Sequence, residues 1–228
     1  MTATGCLRLA HRGDWRHAPE NSVAAFRAAL AVPGCDGIEL DVRAAADGTP
    51  VVIHDESLDR VQRRNGRVDA MRTEALEDAG VPTLAEVLEL LPRTAFVDVE
   101  LKVDVAAAVV PILAGARGPG LGRGVVSSFE PAILERVGRL VPGWPRWLNA
   151  DDLEPATLAI AAGLGCRAVA SDWRTIDARA VERARAAGLE VAAWTVRRRS
   201  TFDRLARLGV MAVCVEAAAL DGGAEVAA

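Results

Sequence analysis

Two of the three histidines in this chain stand at the ends of strand-like runs, in Ala10-His11-Arg12-Gly13 and Val52-Ile53-His54-Asp55. Between them lies Ile38-Glu39-Leu40-Asp41-Val42, and the alternation recurs in Phe96-Val97-Asp98-Val99-Glu100-Leu101-Lys102. Residues two apart on a strand share a face. Glu39 therefore sides with Asp41, and Asp98 with Glu100 and Lys102, each set opposite an aliphatic one. Carboxylates turned into a protein interior are costly unless a cation meets them. Lys102 offers one charge, too few for Glu39, Asp41 and Glu100 together. A divalent ion held by oxygens would suffice, and such a donor set favours Mg²⁺ or Ca²⁺ over zinc. The alternative is a structural salt-bridge network with Arg12, Arg43 and Lys102. Imidazole titrates near neutral pH, so His11 and His54 can act as general base and general acid. The Arg12 guanidinium suits phosphate oxygens. The combination points to phosphate chemistry at a bound metal. His17, in the polar turn after Trp15, reads as a surface residue.

The elements that must carry these residues alternate along the chain. Strands are predicted at Cys6–His11, Asp36–Val42, Val51–His54, Ala95–Lys102, Gly124–Ser128, Arg146–Asn149, Ala168–Ser171, Glu190–Thr195 and Met211–Val215. Amphipathic helices are predicted near Ser22–Val32, Leu84–Leu91, Val105–Ala116, Pro131–Leu140, Pro155–Gly163, Asp177–Ala187 and Ser200–Leu208, with Gly34, Gly163, Gly188 and Gly209 at their ends. Asn21 or Ser22 would cap the first helix, which accounts for both. Alternation of this kind implies βαβ units and a parallel sheet. With Val51–His54 set aside as an extra strand paired to its neighbour, eight strands remain, which fits a (β/α)₈ TIM barrel. A doubly wound open sheet is the runner-up, but the glycine-rich loop it usually carries after its first strand is missing. His11 and His54 would then open onto the C-terminal face of the barrel, where such enzymes place their sites.

One segment breaks the rhythm. From Asp55 to Val81 the chain is polar and arginine-rich, and it reads as an irregular insertion after the second barrel strand, at about residues 43–82, a candidate lid or substrate-facing loop. No linker is evident, so residues 1–228 are expected to form a single barrel domain. Trp194, near the end of the seventh barrel strand, is placed either to stack on a polyol or to fill the rim.

With 27 basic and 31 acidic residues the net charge is −4, which leaves no basic surface for nucleic acid or an anionic membrane. The run Arg197-Arg198-Arg199 is expected in a solvated loop or helix start. No apolar stretch is long enough to span a bilayer, so no stable membrane insertion is expected. The first residues lack a basic segment followed by an apolar run. The four widely spaced cysteines suit buried thiols better than zinc or disulfides. A cytoplasmic protein is expected, and its oligomeric state is left open.

The ordered set His11-Arg12-Gly13, Pro19-Glu20-Asn21-Ser22, Glu39-Leu40-Asp41-Val42, Asp47-Gly48, Val51-Val52-Ile53-His54-Asp55, Leu58-Asp59-Arg60, Val81-Pro82-Thr83-Leu84 and Val99-Glu100-Leu101-Lys102 resembles the glycerophosphodiester phosphodiesterases. The second half matches more loosely, through Ser128-Phe129 and Ala193-Trp194-Thr195-Val196. The resemblance implies a TIM barrel of lipid metabolism that cleaves small-molecule glycerophosphodiesters to sn-glycerol 3-phosphate and an alcohol. It implies one divalent cation on Glu39, Asp41 and Glu100, His11 and His54 as the acid–base pair, and Arg12 and Lys102 on the phosphate. Three positions depart from the family's habit. Arg197 replaces an asparagine, Glu216 ends Val213-Cys214-Val215-Glu216 in place of an Ile-Thr-Asp pattern, and Val61-Gln62-Arg63-Arg64 replaces a Ser/Thr-rich stretch. A phospholipase D-like lyase, betrayed by a cyclic phosphate product, and a silent phosphate-binding barrel are the rivals.

Overall fold

The computed structural model describes residues 5–222; residues 1–4 and 223–228, also taken into the expected domain, lie outside the described residues. The strands are β1 (Leu7–His11), β2 (Gly37–Ala44), β3 (Pro50–Val52), β4 (Phe96–Leu101), β5 (Gly124–Ser128), β6 (Arg146–Ala150), β7 (Ala168–Asp172), β8 (Glu190–Val196) and β9 (Ala212–Val215). The helices are α1 (Val23–Leu30), α2 (Thr73–Glu77), α3 (Leu84–Leu90), α4 (Ala106–Arg117), α5 (Pro131–Leu140), α6 (Pro155–Gly163), α7 (Ala178–Ala186) and α8 (Arg199–Arg207). All the strands except β3 are parallel, and they close on themselves through the β1–β2 and β1–β9 pairings. This is the (β/α)₈ barrel expected from the alternation of elements.

Period-two patterning decides which side chains face which layer. Ile38, Leu40 and Val42 of β2 join Val97, Val99 and Leu101 of β4 in the large cluster between sheet and helices. Their neighbours point into the barrel. There Leu9, Val125, Trp147, Ala168, Ala170, Ala192, Ala212 and Cys214 form a separate apolar plug. Small alanines on β7, β8 and β9 leave room for Trp147, which stacks on Phe96 with ring centroids 5.9 Å apart. The carboxylates of β2 and β4 share this interior with the plug.

Helix starts follow local chemistry. The Ser22 hydroxyl accepts from Ala25 N at 3.1 Å and caps α1, and Thr83 and Glu86 cap α3 reciprocally. Gly163 falls inside the last turn of α6, and the left-handed residue that ends this helix is Gly165 (φ +65°), which differs from the expectation.

The insertion is not the irregular lid expected. β3 pairs antiparallel with the end of β2, through Val42↔Val52 and Ala44↔Pro50. A 3₁₀ turn at Val68–Ala70 and the short helix α2 follow. Ala45, Val51, Ile53, Leu58, Val68, Leu76 and Val81 bury one another in a small core of their own. Spacing hid this core because its apolar residues lie far apart in a polar stretch. The strand also ends earlier than expected, at Val52, so His54 stands two residues beyond it.

Candidate active site

Strand register brings the acids together. Glu39 lies beside His11 of β1 on one side and Asp98 of β4 on the other, and Asp41 lies beside Glu100. Each of Glu39, Asp41 and Glu100 offers one oxygen, and these three atoms lie within 4.8 Å of one another. Burial raises the Glu39 carboxyl well above its ordinary range, and the charges of Asp41 and Glu100 raise it further. Burial also raises Glu100. It would raise Asp41 too, but Lys102 and Arg12 outweigh it and hold that carboxyl down. Lys102 Nζ is 3.0 Å from Asp41 Oδ1 and also bonds Glu100, while Arg12 Nε is 3.1 Å from Asp41 Oδ2.

Glu39 is where this compensation stops. Its Oε2 accepts from Arg12 N at 3.2 Å, but its buried Oε1 has no hydrogen-bond partner among the described residues. The Glu39 charge is thus only partly compensated by the protein's own cations and donors. A hard, oxygen-liganded divalent cation fits both the orphaned oxygen and the mutual repulsion of the three carboxylates. Asp98, also inward, bonds Ser127 Oγ at 2.6 Å; burial pushes it up to about 7. It stands outside the three-carboxylate group.

Two histidines flank the acids, each held by a carboxylate. His11 Nδ1 is 2.6 Å from Glu216 Oε1, and its Nε2 is 3.9 Å from Glu39 Oε2. Arg197 Nε donates to the other Glu216 oxygen at 2.7 Å. On the far side His54 Nδ1 is 2.7 Å from Asp55 Oδ1, and Arg60 donates to Asp55 Oδ2 at 2.6 Å. Backbone bonds seat His54: Ile53 N donates to Asp41 O at 2.9 Å, and Arg43 Nε donates to His54 O at 2.7 Å. Arg43 is therefore spent on a carbonyl rather than on the acid cluster. Burial lowers the His54 pKa, against the pull of Asp41 and Asp55, so the ring favours its neutral form.

The turn after β1 is built to fold Arg12 back over the site. Arg12 itself has a left-handed backbone (φ +58°), uncommon for a side chain without a short polar head. Gly13 follows at φ +84°, where a Cβ would sit 2.7 Å from the Ala25 carbonyl carbon. Asn21, also left-handed, is not the cap of α1. Its Nδ2 donates to Asp41 Oδ2 at 2.8 Å, so a residue explained from sequence as a capping candidate belongs to the acid cluster. Glu20 ties Arg12 to Arg60, at 2.9 and 2.6 Å.

His11, Arg12, Glu39, His54, Glu100, Lys102 and Trp194 all line one cavity of about 230 Å³ at the barrel mouth. Asp41 is the exception among the candidates, lying fully buried beneath Lys102 and Arg12. Trp194 lies within β8 rather than at its end; its Nε1 donates to Ala170 O at 2.9 Å, and its ring meets Phe129 edge-on at 5.6 Å. Phe129, nearly half exposed, completes an aromatic wall beside Lys102, and only its place in the Ser-Phe motif hinted at it. His17 takes no part in this cavity.

An eight-stranded parallel barrel with paired histidines over a carboxylate cluster at the C-terminal strand ends is the layout of a TIM-barrel enzyme. The glycerophosphoryl diester phosphodiesterase family model matches residues 11–220, and the chain belongs to this family of enzymes. It is 32% identical over 226 residues to a glycerophosphodiester phosphodiesterase of Caldanaerobacter subterraneus, covering 90% of this chain and 91% of that one. A phosphodiesterase from Oleispira antarctica, solved with the product sn-glycerol-3-phosphate, superposes with a TM-score of 0.82 at 26% identity over 92% of each chain. A glycerophosphodiester phosphodiesterase from Agrobacterium tumefaciens gives 0.81 at 28% identity, over 94% of this chain and 98% of that one.

Proposed function

We propose that the enzyme hydrolyses glycerophosphodiesters to sn-glycerol 3-phosphate and an alcohol, with a divalent cation held by Glu39, Asp41 and Glu100. The observation that carries this reading is the orphaned, buried Glu39 oxygen beside two further carboxylates, with both histidines on the same cavity. When bound, the cation, Mg²⁺ or Ca²⁺, would act as a Lewis acid on a phosphoryl oxygen. Arg12 and Lys102 present positive charge to the remaining phosphate oxygens. His54, favouring its neutral form, takes the proton of the nucleophile, which is water or the free hydroxyl of the glycerol next to the phosphate; in the second case the alcohol leaves from a cyclic phosphate that water then opens to sn-glycerol 3-phosphate. His11 gives its proton to the departing alkoxide. Asp55 and Glu216 fix the two rings through Nδ1, which leaves each Nε2 for proton transfer. Trp194 and Phe129 provide an apolar wall for the glycerol carbons.

The whole chain serves this reading as one phosphodiesterase domain acting on a small molecule. No helix among the described residues is long and apolar enough to cross a membrane. The buried thiols of Cys6, Cys166 and Cys214 suit the reducing cytoplasm, where we place the reaction. The test is release of sn-glycerol 3-phosphate from glycerophosphocholine and glycerophosphoglycerol in Mg²⁺, Ca²⁺ or EDTA. Metal-dependent release abolished by EDTA is expected. A cyclic phosphate as the end product would favour the lyase, and no turnover with either ion would leave a phosphate-binding barrel.

A further inference from the structure

The arginine run after β8 is exposed and leads into α8, as a solvated loop and helix start would. Arg197 and Arg198 line a second cavity of about 580 Å³, together with Arg174, Trp173 and Thr201. Trp194 and Thr195 line both this cavity and the catalytic one, so the two share a wall on β8. The catalytic cavity, at about 230 Å³, is the smaller by more than half. A diester whose phosphate sits between the two histidines has one half left to accommodate, and the larger cavity lies next door.

Its chemistry is one-sided. Three guanidinium groups line it and no carboxylate does. Arg174 is paired with Asp172 at 2.9 Å, and Arg197 commits only its Nε to Glu216, at 2.7 Å. Arg198 has no ion-pair partner among the described residues. Two tryptophans line it: Trp194 lies in the wall shared with the catalytic cavity, and the Trp173 face is already attended, with the guanidinium carbons of Arg174 and Arg204 at 5.8 and 5.9 Å from its ring centre. A cationic amino alcohol would meet repulsion here, whereas an arginine fork matches phosphate geometry.

We propose that this cavity receives the alcohol half of the diester and selects an alcohol that itself carries a phosphate. The inference rests on the phosphodiesterase reading above. The arginines are exposed to solvent, so each contributes a modest, salt-sensitive preference of about three- to fivefold, and the set about tenfold or more.

The experiment compares kcat/KM for three diesters that differ only in the alcohol: phosphorylated glycerophosphoglycerol, glycerophosphoglycerol and glycerophosphocholine. The wild-type enzyme, Arg198→Ala and the Arg174→Ala/Arg198→Ala double variant are assayed at low and at high salt. The expected order places the phosphorylated diester first and the choline diester last. The ratio of phosphorylated to neutral substrate should fall towards one in the double variant and in high salt. A wild-type ratio near one, or a ratio the substitutions leave intact, would overturn the proposal. If no diester is turned over, the phosphodiesterase reading fails by itself, and calorimetric binding of the same compounds then decides the subsite. Tighter binding of the phosphorylated diester that the double variant loses would sustain it; equal binding of all three would end it.

Discussion

Replacing Glu39 by Gln should move stability in opposite directions with and without metal. Glu39 is buried at 4% exposure, and its ligand oxygen lies within 4.8 Å of those of Asp41 and Glu100. At that separation and an effective dielectric of about 20, each carboxylate repels it by roughly 3 kcal/mol. Arg12, hydrogen-bonded through its backbone nitrogen and attracting through its guanidinium, offsets about one of the two. Roughly 3 kcal/mol of repulsion then remains as an upper bound, since the carboxyl can relieve it by taking up a proton. Glutamine keeps an oxygen for Arg12 N and puts an amide where Oε1 has no partner. In EDTA the variant should therefore melt higher than the parent, by at most about 6 to 12 °C for a chain of this size. With Mg²⁺ or Ca²⁺ the order should invert. The parent gains about 2.7 kcal/mol at a hundredfold excess over its Kd, whereas the variant, short of one ligand, gains far less. Thermal melts in EDTA and across a metal titration check both halves. A variant that melts lower in EDTA and keeps the parent's full metal response would refute the reasoning, because Glu39 would then be a structural ion-pair partner.

Four further outcomes are expected. His54→Ala should lower kcat by about 10²–10⁴-fold. In the parent, the midpoint of the acid limb of activity should lie below pH 6.5, because burial lowers the His54 pKa; a midpoint above 6.5 would contradict the assignment of His54 as base. Glu216→Gln keeps the shape at His11 Nδ1 but removes the charge, so kcat should drop about 10–100-fold while metal affinity, read by calorimetry, stays put. Asp98 is raised by burial from 3.8 to about 7, so its contribution to stability is full below about pH 4 and is lost as pH rises through 7. In EDTA the parent should gain up to about 4 kcal/mol as pH falls across that window, and Asp98→Asn should flatten the profile. Gly13→Ala drives a Cβ to 2.7 Å from the Ala25 carbonyl carbon at a left-handed φ, which should cost about 2 kcal/mol or more in denaturant melts and weaken activity through Arg12.

What the sequence disclosed and what it hid divide along one physical line. Alternation on β2 and β4 reveals the inward acids because a strand's faces are fixed by period two, and burial between barrel and helices makes charge on one face conspicuous. Glu39, Asp41, Glu100 and Lys102 were legible for that reason, and His11 because it is a histidine at the end of an apolar strand. Their partners were not, because they depend on which strands closure makes neighbours. Glu216 lies 205 positions from His11 and touches it only because β9 pairs with β1 and closes the barrel. From sequence it stood out solely as a departure from a family pattern. Asn21 failed differently: a good local explanation, helix capping, was available, and Ser22 alone uses it. The same argument bears on two of the three unusual positions, Arg197 and Glu216. Arg197, Glu216 and His11 form one chain of contacts, with Arg197 Nε on Glu216 and Glu216 on His11 Nδ1. The replacement at Arg197 and the altered end of β9 therefore act together: the acid holds the ring, and His11 first, with Arg197 second, holds that carboxyl below its ordinary range against its burial. Arg197 also lines the second cavity. A phosphate drawn there would compete with Glu216 for one guanidinium, so orientation of His11 and choice of alcohol are physically linked at this residue. Arg197→Ala should accordingly lower kcat for every diester and change alcohol preference at once, whereas Arg198→Ala, which does not touch Glu216, should act mainly on the phosphorylated diester.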